Sequence, residues 1–158
     1  MARRKKIKVS LGDLFTIPVN NELMAIGQVV YKGSTSDVYT IYDYVYKQGE
    51  SINDVTNSSI LFIVNTVDTK LEDSEWKVIG NKKIPEALIL PTYIAETLYG
   101  FVVLDAGGKI IRHATENDVK CLSTLRSVSP VILEDAVKAK FGNEEWYPYL
   151  DNLLYSFH

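Results

Sequence analysis

The chain has 158 residues, 46% of them hydrophobic and 23% charged, with a net charge of −3. That balance excludes disordered and fibrous architectures, and at this length one domain is expected, burying roughly two-thirds of the surface its unfolded form exposes. The single cysteine, Cys121, excludes an intramolecular disulfide framework and no apolar run approaches the ~20 residues of a membrane helix, so a reducing, cytoplasmic setting is expected.

The chain opens with MARRKKIK, which holds Arg3, Arg4, Lys5, Lys6 and Lys8 and no acid. It lacks the apolar stretch of a signal peptide. Residues 1–8 are therefore expected to form a basic, flexible tail on a single α+β domain over residues 9–158. That body carries 12 basic against 20 acidic residues. An acidic body is not the usual footprint of a nucleic-acid-binding domain. It suits a basic protein partner, although solubility alone accounts for mild acidity.

The first two-thirds of the sequence predicts strands. DLFTIPV (residues 13–19) and ELMAIGQVVY (22–31) are joined by Asn20-Asn21, and asparagine tolerates the positive φ of a tight hairpin. Pro18 cannot donate to a ladder, which places it at an edge or where pairing stops. After the polar KGSTSD comes VYTIYDYVY (38–46), whose alternation puts Tyr42, Tyr44 and Tyr46 on one face and Tyr39, Ile41, Asp43 and Val45 on the other. ESINDVTN predicts one helical turn capped by Ser51. SILFIVNTV (59–67) is almost continuously apolar, the pattern of a central strand buried on both faces. A polar connection, DTKLEDSE (68–75), leads to the short strand WKVIG, with Trp76 and Ile79 as core anchors and Gly80-Asn81 as a turn. ALILPTYI (87–94), YGFVVLDA (99–106) and KIIRHA (109–114) also read as extended, the last two joined at Gly107-Gly108.

The last third predicts helices. Thr115 followed by Asp118 is a capping start, with Val119 and Leu122 at helical spacing after it. Ser129-Pro130 is a second start; Val131, Leu133, Ala136, Val137 and Phe141 follow at helical intervals, and Gly142 is the stop. A third short helix is expected near residues 149–155, with Leu150, Leu153 and Leu154 on its apolar side. Strands first and helices after indicate an α+β fold. The expected architecture is a strongly twisted, mostly antiparallel sheet, open or barrel-like, followed by two or three C-terminal helices.

Residues with chemistry are sparse. The histidines are His113, at a predicted strand end, and His158, the last residue. Cys121 falls well inside its predicted helix rather than at the N-terminal turn that would stabilise a thiolate, so a buried, inert side chain is expected. An enzyme would have to use His113 with a carboxylate or Cys121, and no nucleophile elbow, metal motif or phosphate loop accompanies them. No catalytic, cofactor or metal residue is assigned. Two local features remain: the acidic cluster Glu72, Asp73 and Glu75, and the tyrosine-rich strand around Tyr42, Asp43 and Tyr44. The tyrosines together with the basic arm leave a nucleic-acid-associated β-barrel as an alternative function, but no lysine or arginine interleaves them before Lys47.

The order of motifs resembles the bacterial immunity protein 26 family of polymorphic toxin systems. The carriers are G-D-x-F-x-I-P at residues 12–18, a Gly-containing second strand around Gly27, W-x-x-I-G at 76–80, and Leu90-Pro91. The resemblance covers roughly residues 9–93 and leaves out the helical third. It implies a non-catalytic protein that binds a cognate secreted toxin and blocks it in the producing cell or its kin, with no cofactor. The matching residues read as structural, so the partner-binding candidates remain Glu72, Asp73, Glu75, Tyr42, Asp43 and Tyr44, chosen for their local charge and aromatic density.

Overall fold

A computed structural model describes residues 5–52, 54–142 and 144–155. Five strands, β1 (Asp13–Pro18), β2 (Leu23–Lys32), β3 (Asp37–Lys47), β4 (Ile60–Thr66) and β5 (Lys77–Asn81), form one antiparallel sheet in the order β4-β3-β2-β1-β5. A second antiparallel sheet contains β6 (Tyr93–Thr97), β7 (Gly100–Leu104) and β8 (Ile110–His113) in sequence order. The helices are α1 (Thr69–Glu72), α2 (Glu116–Cys121) and α3 (Pro130–Phe141), with 3-10 turns at Val55–Asn57 and Pro148–Leu153. The architecture is the α+β one expected. Its sheets stay open, so the barrel-like alternative is corrected: β4 and β5 end the larger sheet without meeting.

The β1–β2 hairpin forms, but not by the expected tight Asn20-Asn21 turn: neither asparagine has a positive φ, and the loop 19–22 is closed by a side chain instead. Asn20 Oδ1 accepts hydrogen bonds from the backbone N–H of Glu22 and of Leu23, both at 2.8 Å, which closes the loop locally. Pro18 lies in the sheet interior but past the point where β5 stops pairing with β1, so its missing N–H costs no ladder bond. At the far end Thr115 and Asp118 form the reciprocal capping box of α2. Ser129 caps α3 with Pro130 in the first turn, and Gly142 ends it.

The main core lies on one face of the larger sheet. Phe15, Ile17, Val29, Tyr39, Ile41, Phe62 and Val64 are buried there against Leu133, Ala136 and Val137 of α3 and against Leu150 and Leu153. At its centre Phe15 stacks on Trp76, with centroids 5.8 Å apart and planes 5° from parallel, and meets Tyr39 at 4.9 Å. The opposite face is smaller: Leu14, Ile26, Tyr42 and Val55. There the fully buried Gln28 donates to the carbonyl of Lys82 at 2.8 Å and accepts from the Tyr42 hydroxyl at 2.5 Å, tying β2 to β3 and to the segment after β5.

Five further expectations are corrected. β4 is an end strand, not a central one. It is nonetheless buried, because irregular chain covers its outer edge: Phe62 bridges Leu154, Asn65 bridges Ser127, and Val128 N–H donates to the Asn65 carbonyl at 2.9 Å. Ile79 is 43% exposed, while Trp76 is buried. Two register steps separate Trp76 from Val78, so both face inward. The β1–β5 ladder pairs Leu14 with Gly80 and Phe15 with Val78, leaving Ile79 as the extra residue of a bulge. Gly80-Asn81 accordingly belongs to the strand and makes no turn. Cys121 is exposed, because the short α2 buries none of its residues. The turn near residue 55 is capped by Asp54, whose Oδ1 accepts from the Thr56 N–H, rather than by Ser51.

Gly27 is a tight point of the core. A Cβ there would stand 2.5 Å from Phe15 Cζ and 2.7 Å from Ile41 Cδ1. Gly27→Ala is expected to destabilise the fold by about 1–3 kcal/mol through overpacking, and Trp76→Ala by about 3–5 kcal/mol through the cavity it leaves. Urea unfolding midpoints of the two variants check both values.

Candidate functional site

The acidic segment 72–75 is a corner of the fold. After the single turn of α1, the N–H groups of Glu75 and Trp76 both bond to the Lys70 carbonyl, at 2.9 and 3.1 Å, and Ser74 takes a left-handed φ of 60°. Leu71 and Trp76, both buried, clamp the corner on either side. Two of the three predicted acids are already partnered within the chain. Glu72 pairs with Lys6 at 3.3 Å, and its carbonyl accepts from Ile7 N–H at 3.1 Å, which lays the end of the basic arm against α1. Glu75 pairs with Lys70 at 3.3 Å; Lys70 also holds Glu134 of α3 at 2.5 Å and sits 5.9 Å from the centre of the Trp76 ring. Asp73 is exposed and has no ion pair among the described residues.

The other predicted residues lie elsewhere. Tyr42 is fully buried, and that burial pushes its hydroxyl up to about 12. Asp43 is exposed, and Tyr44 is half-buried beside Tyr46, with centroids 6.4 Å apart. In the β3–β4 register Asp37 faces Thr66, close to the start of α1, whereas Tyr42 faces Ile60. The tyrosine group is thus displaced roughly 15–20 Å along the strand from the end where α1 begins. The structure does not join the six predicted residues into one surface. His113 and Cys121 are both exposed, and the Cys121 thiol reaches Asn117 Oδ1 at 3.6 Å. His158 lies outside the described residues. Among the described residues no group of three or more His, Cys, Asp or Glu is placed to hold a metal ion.

A polar cluster beside the acidic corner was not singled out from sequence. Lys32 and Asp37 are cross-strand partners at the end of the β2–β3 hairpin, and Lys32 Nζ reaches Asp37 Oδ2 at 2.6 Å and Asp68 Oδ2 at 2.7 Å. Tyr39 donates its hydroxyl to Asp68 Oδ1, and Gly33 N–H donates to Asp37 Oδ1 at 3.1 Å. A recess of about 300 Å³ between loop 33–36 and residues 67–69 opens beside it. Burial first, and then the neighbouring Asp68, push the Asp37 carboxyl up to about 6 despite Lys32. Burial also works to raise Asp68, but hydrogen bonds from Asp37, Lys32 and Tyr39 hold it below the usual range. The one sequence signal was a Lys and an Asp at the two ends of KGSTSD, which antiparallel pairing must bring face to face. Every carboxylate oxygen of the cluster that a donor reaches is used to close the hairpin onto β4. Its chemistry is that of a clasp.

A family model described as immunity protein 26 matches residues 10–100, which runs from the start of β1 through β6. No curated protein and no solved structure matches the chain. The matched span holds Gly12, Phe15, Gly27 and Trp76 of the core, the clasp and the acidic corner. α2, α3 and the final 3-10 turn lie beyond it.

The clasp predicts a pH dependence. The Asp37 carboxyl binds its proton more tightly in the folded chain than at its ordinary value of 3.8. The stability it contributes is therefore full below that value and is lost as pH rises through about 6. Thermal melts from acid to neutral pH are expected to show Asp37→Asn gaining relative to the wild type as pH rises through that window. Parallel curves for the two proteins would contradict the assignment.

Proposed function

The chain belongs to the immunity protein 26 family, and from that premise we propose that it binds a cognate bacterial toxin in the cytoplasm and neutralises it by covering its working surface, without catalysing a reaction. The match over residues 10–100 carries this reading. The acid surplus of the chain suits a basic toxin domain, since complementary potential speeds encounter and disfavours wrong partners.

The distribution of polar groups supports a binder rather than an enzyme. Asp37 and Asp68, both shifted from their ordinary values, are engaged with Lys32, Tyr39 and Gly33 in closing a hairpin. Perturbed carboxylates of that kind hold structure as readily as they do chemistry. The tyrosine strand that motivated a nucleic-acid reading packs Tyr42 inside, and Lys6 of the basic arm is held by Glu72, so no observation favours that alternative. We take residues 9–158 as one folding unit, because Val9, the inner face of the large sheet, α3 and Leu153 share one apolar core.

Co-expression with the toxin encoded beside this gene tests the proposal. The expected outcome is survival of cells carrying both proteins and a stoichiometric complex on size-exclusion chromatography. Equal killing with and without this protein would refute it.

A further inference from the structure

The segment between α3 and the final turn is pinned from below. Trp146 stacks on Phe62 of β4, with centroids 5.8 Å apart and planes 17° from parallel, and donates its indole N–H to Asp151 Oδ1 at 2.8 Å. Leu150 is buried in the main core. Between these anchors Tyr147 and Tyr149 turn outward, 48% and 53% exposed. Their rings stack on each other at 5.9 Å with an interplanar angle of 10°. Pro148 between them fixes one backbone dihedral and starts the 3-10 turn. Two aromatic rings are thus held in place in solvent, where neither serves the core.

The same rings line a recess of about 370 Å³ together with Asp135, Glu144, Glu145 and Leu150. No lysine or arginine lines it, and none of its three carboxylates has an ion pair among the described residues. The nearest acid along α3 behaves differently: Glu134 is neutralised by both Lys70 and Lys138. The recess therefore combines uncompensated negative charge, an ordered aromatic surface and an apolar floor.

We propose that this recess receives an arginine side chain from a basic face of the protein partner. A guanidinium stacks on tyrosine faces and offers planar donors to carboxylates, a combination that an ammonium or a metal ion does not match. Tyrosine and arginine are also the residues that dominate binding energy at protein interfaces. The recess lies beyond residue 100, outside the span that the family model matches. This inference rests on the toxin-binding reading for the partner's identity, but its chemistry can be tested alone.

Two arms separate the claims. The first uses a capped Gly-Arg-Gly-Arg-Gly peptide and its citrulline counterpart, which keeps the shape and loses the charge. NMR titration is expected to move the Tyr147 and Tyr149 ring signals with the arginine peptide only. Tyr147→Ala/Tyr149→Ala should weaken binding about tenfold or more, and Glu144→Gln/Glu145→Gln should remove most of its salt dependence. The half-exposed rings contribute nothing to the main core, so unchanged unfolding midpoints are expected. No binding by the wild type, or equal binding of the two peptides, would overturn the proposal. The second arm repeats the toxin co-expression with these variants. Protection by the wild type and equal protection by the tyrosine variant would sink the recess while leaving the toxin-binding reading intact. Failure of the wild type to protect would sink the reading, with the peptide arm still deciding the recess.

Discussion

The larger sheet is organised around a side chain that is absent. β2 runs between β1 and β3, and Phe15 and Ile41, its neighbours on either side, converge over Gly27. With no Cβ in the way, the Phe15 ring reaches over the strand, stacks parallel on Trp76 and meets Tyr39 at a tilt of 56°. Glycine inside a strand weakens it locally, and an aromatic from the next strand that covers the gap recovers the lost contact. Trp76 in turn fixes the corner after α1, and α3 packs over the same cluster. The acidic corner, which leads into β5, is thus tied through Trp76 and Phe15 to a gap two strands away in the sheet order.

The sheet edges are handled in different ways, and the difference bears on where a partner can dock. β4 has its outer edge covered by chain from residues 127–128 and 154. β5 carries a bulge, and Asn81 turns back to Leu11 and Asp13. The second sheet is joined to the first by polar and apolar contacts: the Tyr31 hydroxyl donates to Asp105 at 3.2 Å, Asn65 donates to the Ala106 carbonyl at 3.1 Å, Tyr31 covers Gly107, and Ala106 packs with Val30, Val38 and Ile63. The covered edge of β4 cannot recruit a partner by strand addition. On that side the proposed recognition would fall to side chains, which is the mode the stacked tyrosines and their acids would use.

The sequence made the fold class legible because its local signals agree with one another. Asn20, Thr115, Ser129, Pro130 and Gly142 each act within a few residues of themselves, so their chemistry survives without knowledge of the rest. Apart from the local choice of Asp54 over Ser51 as a cap, the misreadings depend on distant chain. An almost unbroken apolar run such as 60–66 says that both faces are covered, but not whether a strand or a loop covers the edge. The exposure of Ile79 depends on one extra residue in a ladder with β1, and that of Cys121 on the absence of anything packed over α2. The candidate site was harder still. Glu72, Asp73 and Glu75 stand out as a local charge run, yet Lys6 and Lys70, remote or adjacent in sequence, neutralise two of them. Asp135, Glu144 and Glu145 drew no attention as a set, because only the turn after α3 brings them around two tyrosines.

That contrast changes how negative charge should be read in a small acidic binder. A carboxylate already held by the chain's own lysine offers a partner little, since a new cation must first displace the old one, and exposed pairs exchange for small gains. An unpaired carboxylate beside an ordered aromatic ring has no internal competitor, and its entropy of ordering is partly met before the partner arrives. In the matched span Lys32 and Lys70, joined by Lys6 from just before it, are paired with Asp37, Asp68, Glu75 and Glu72. Charge there holds the scaffold together. Beyond residue 100 the acids of the 370 Å³ recess are left without such partners. Substitutions around Tyr147 and Tyr149 touch neither the Phe15–Trp76 stack nor the clasp, so the proposed recess can be altered without disturbing either.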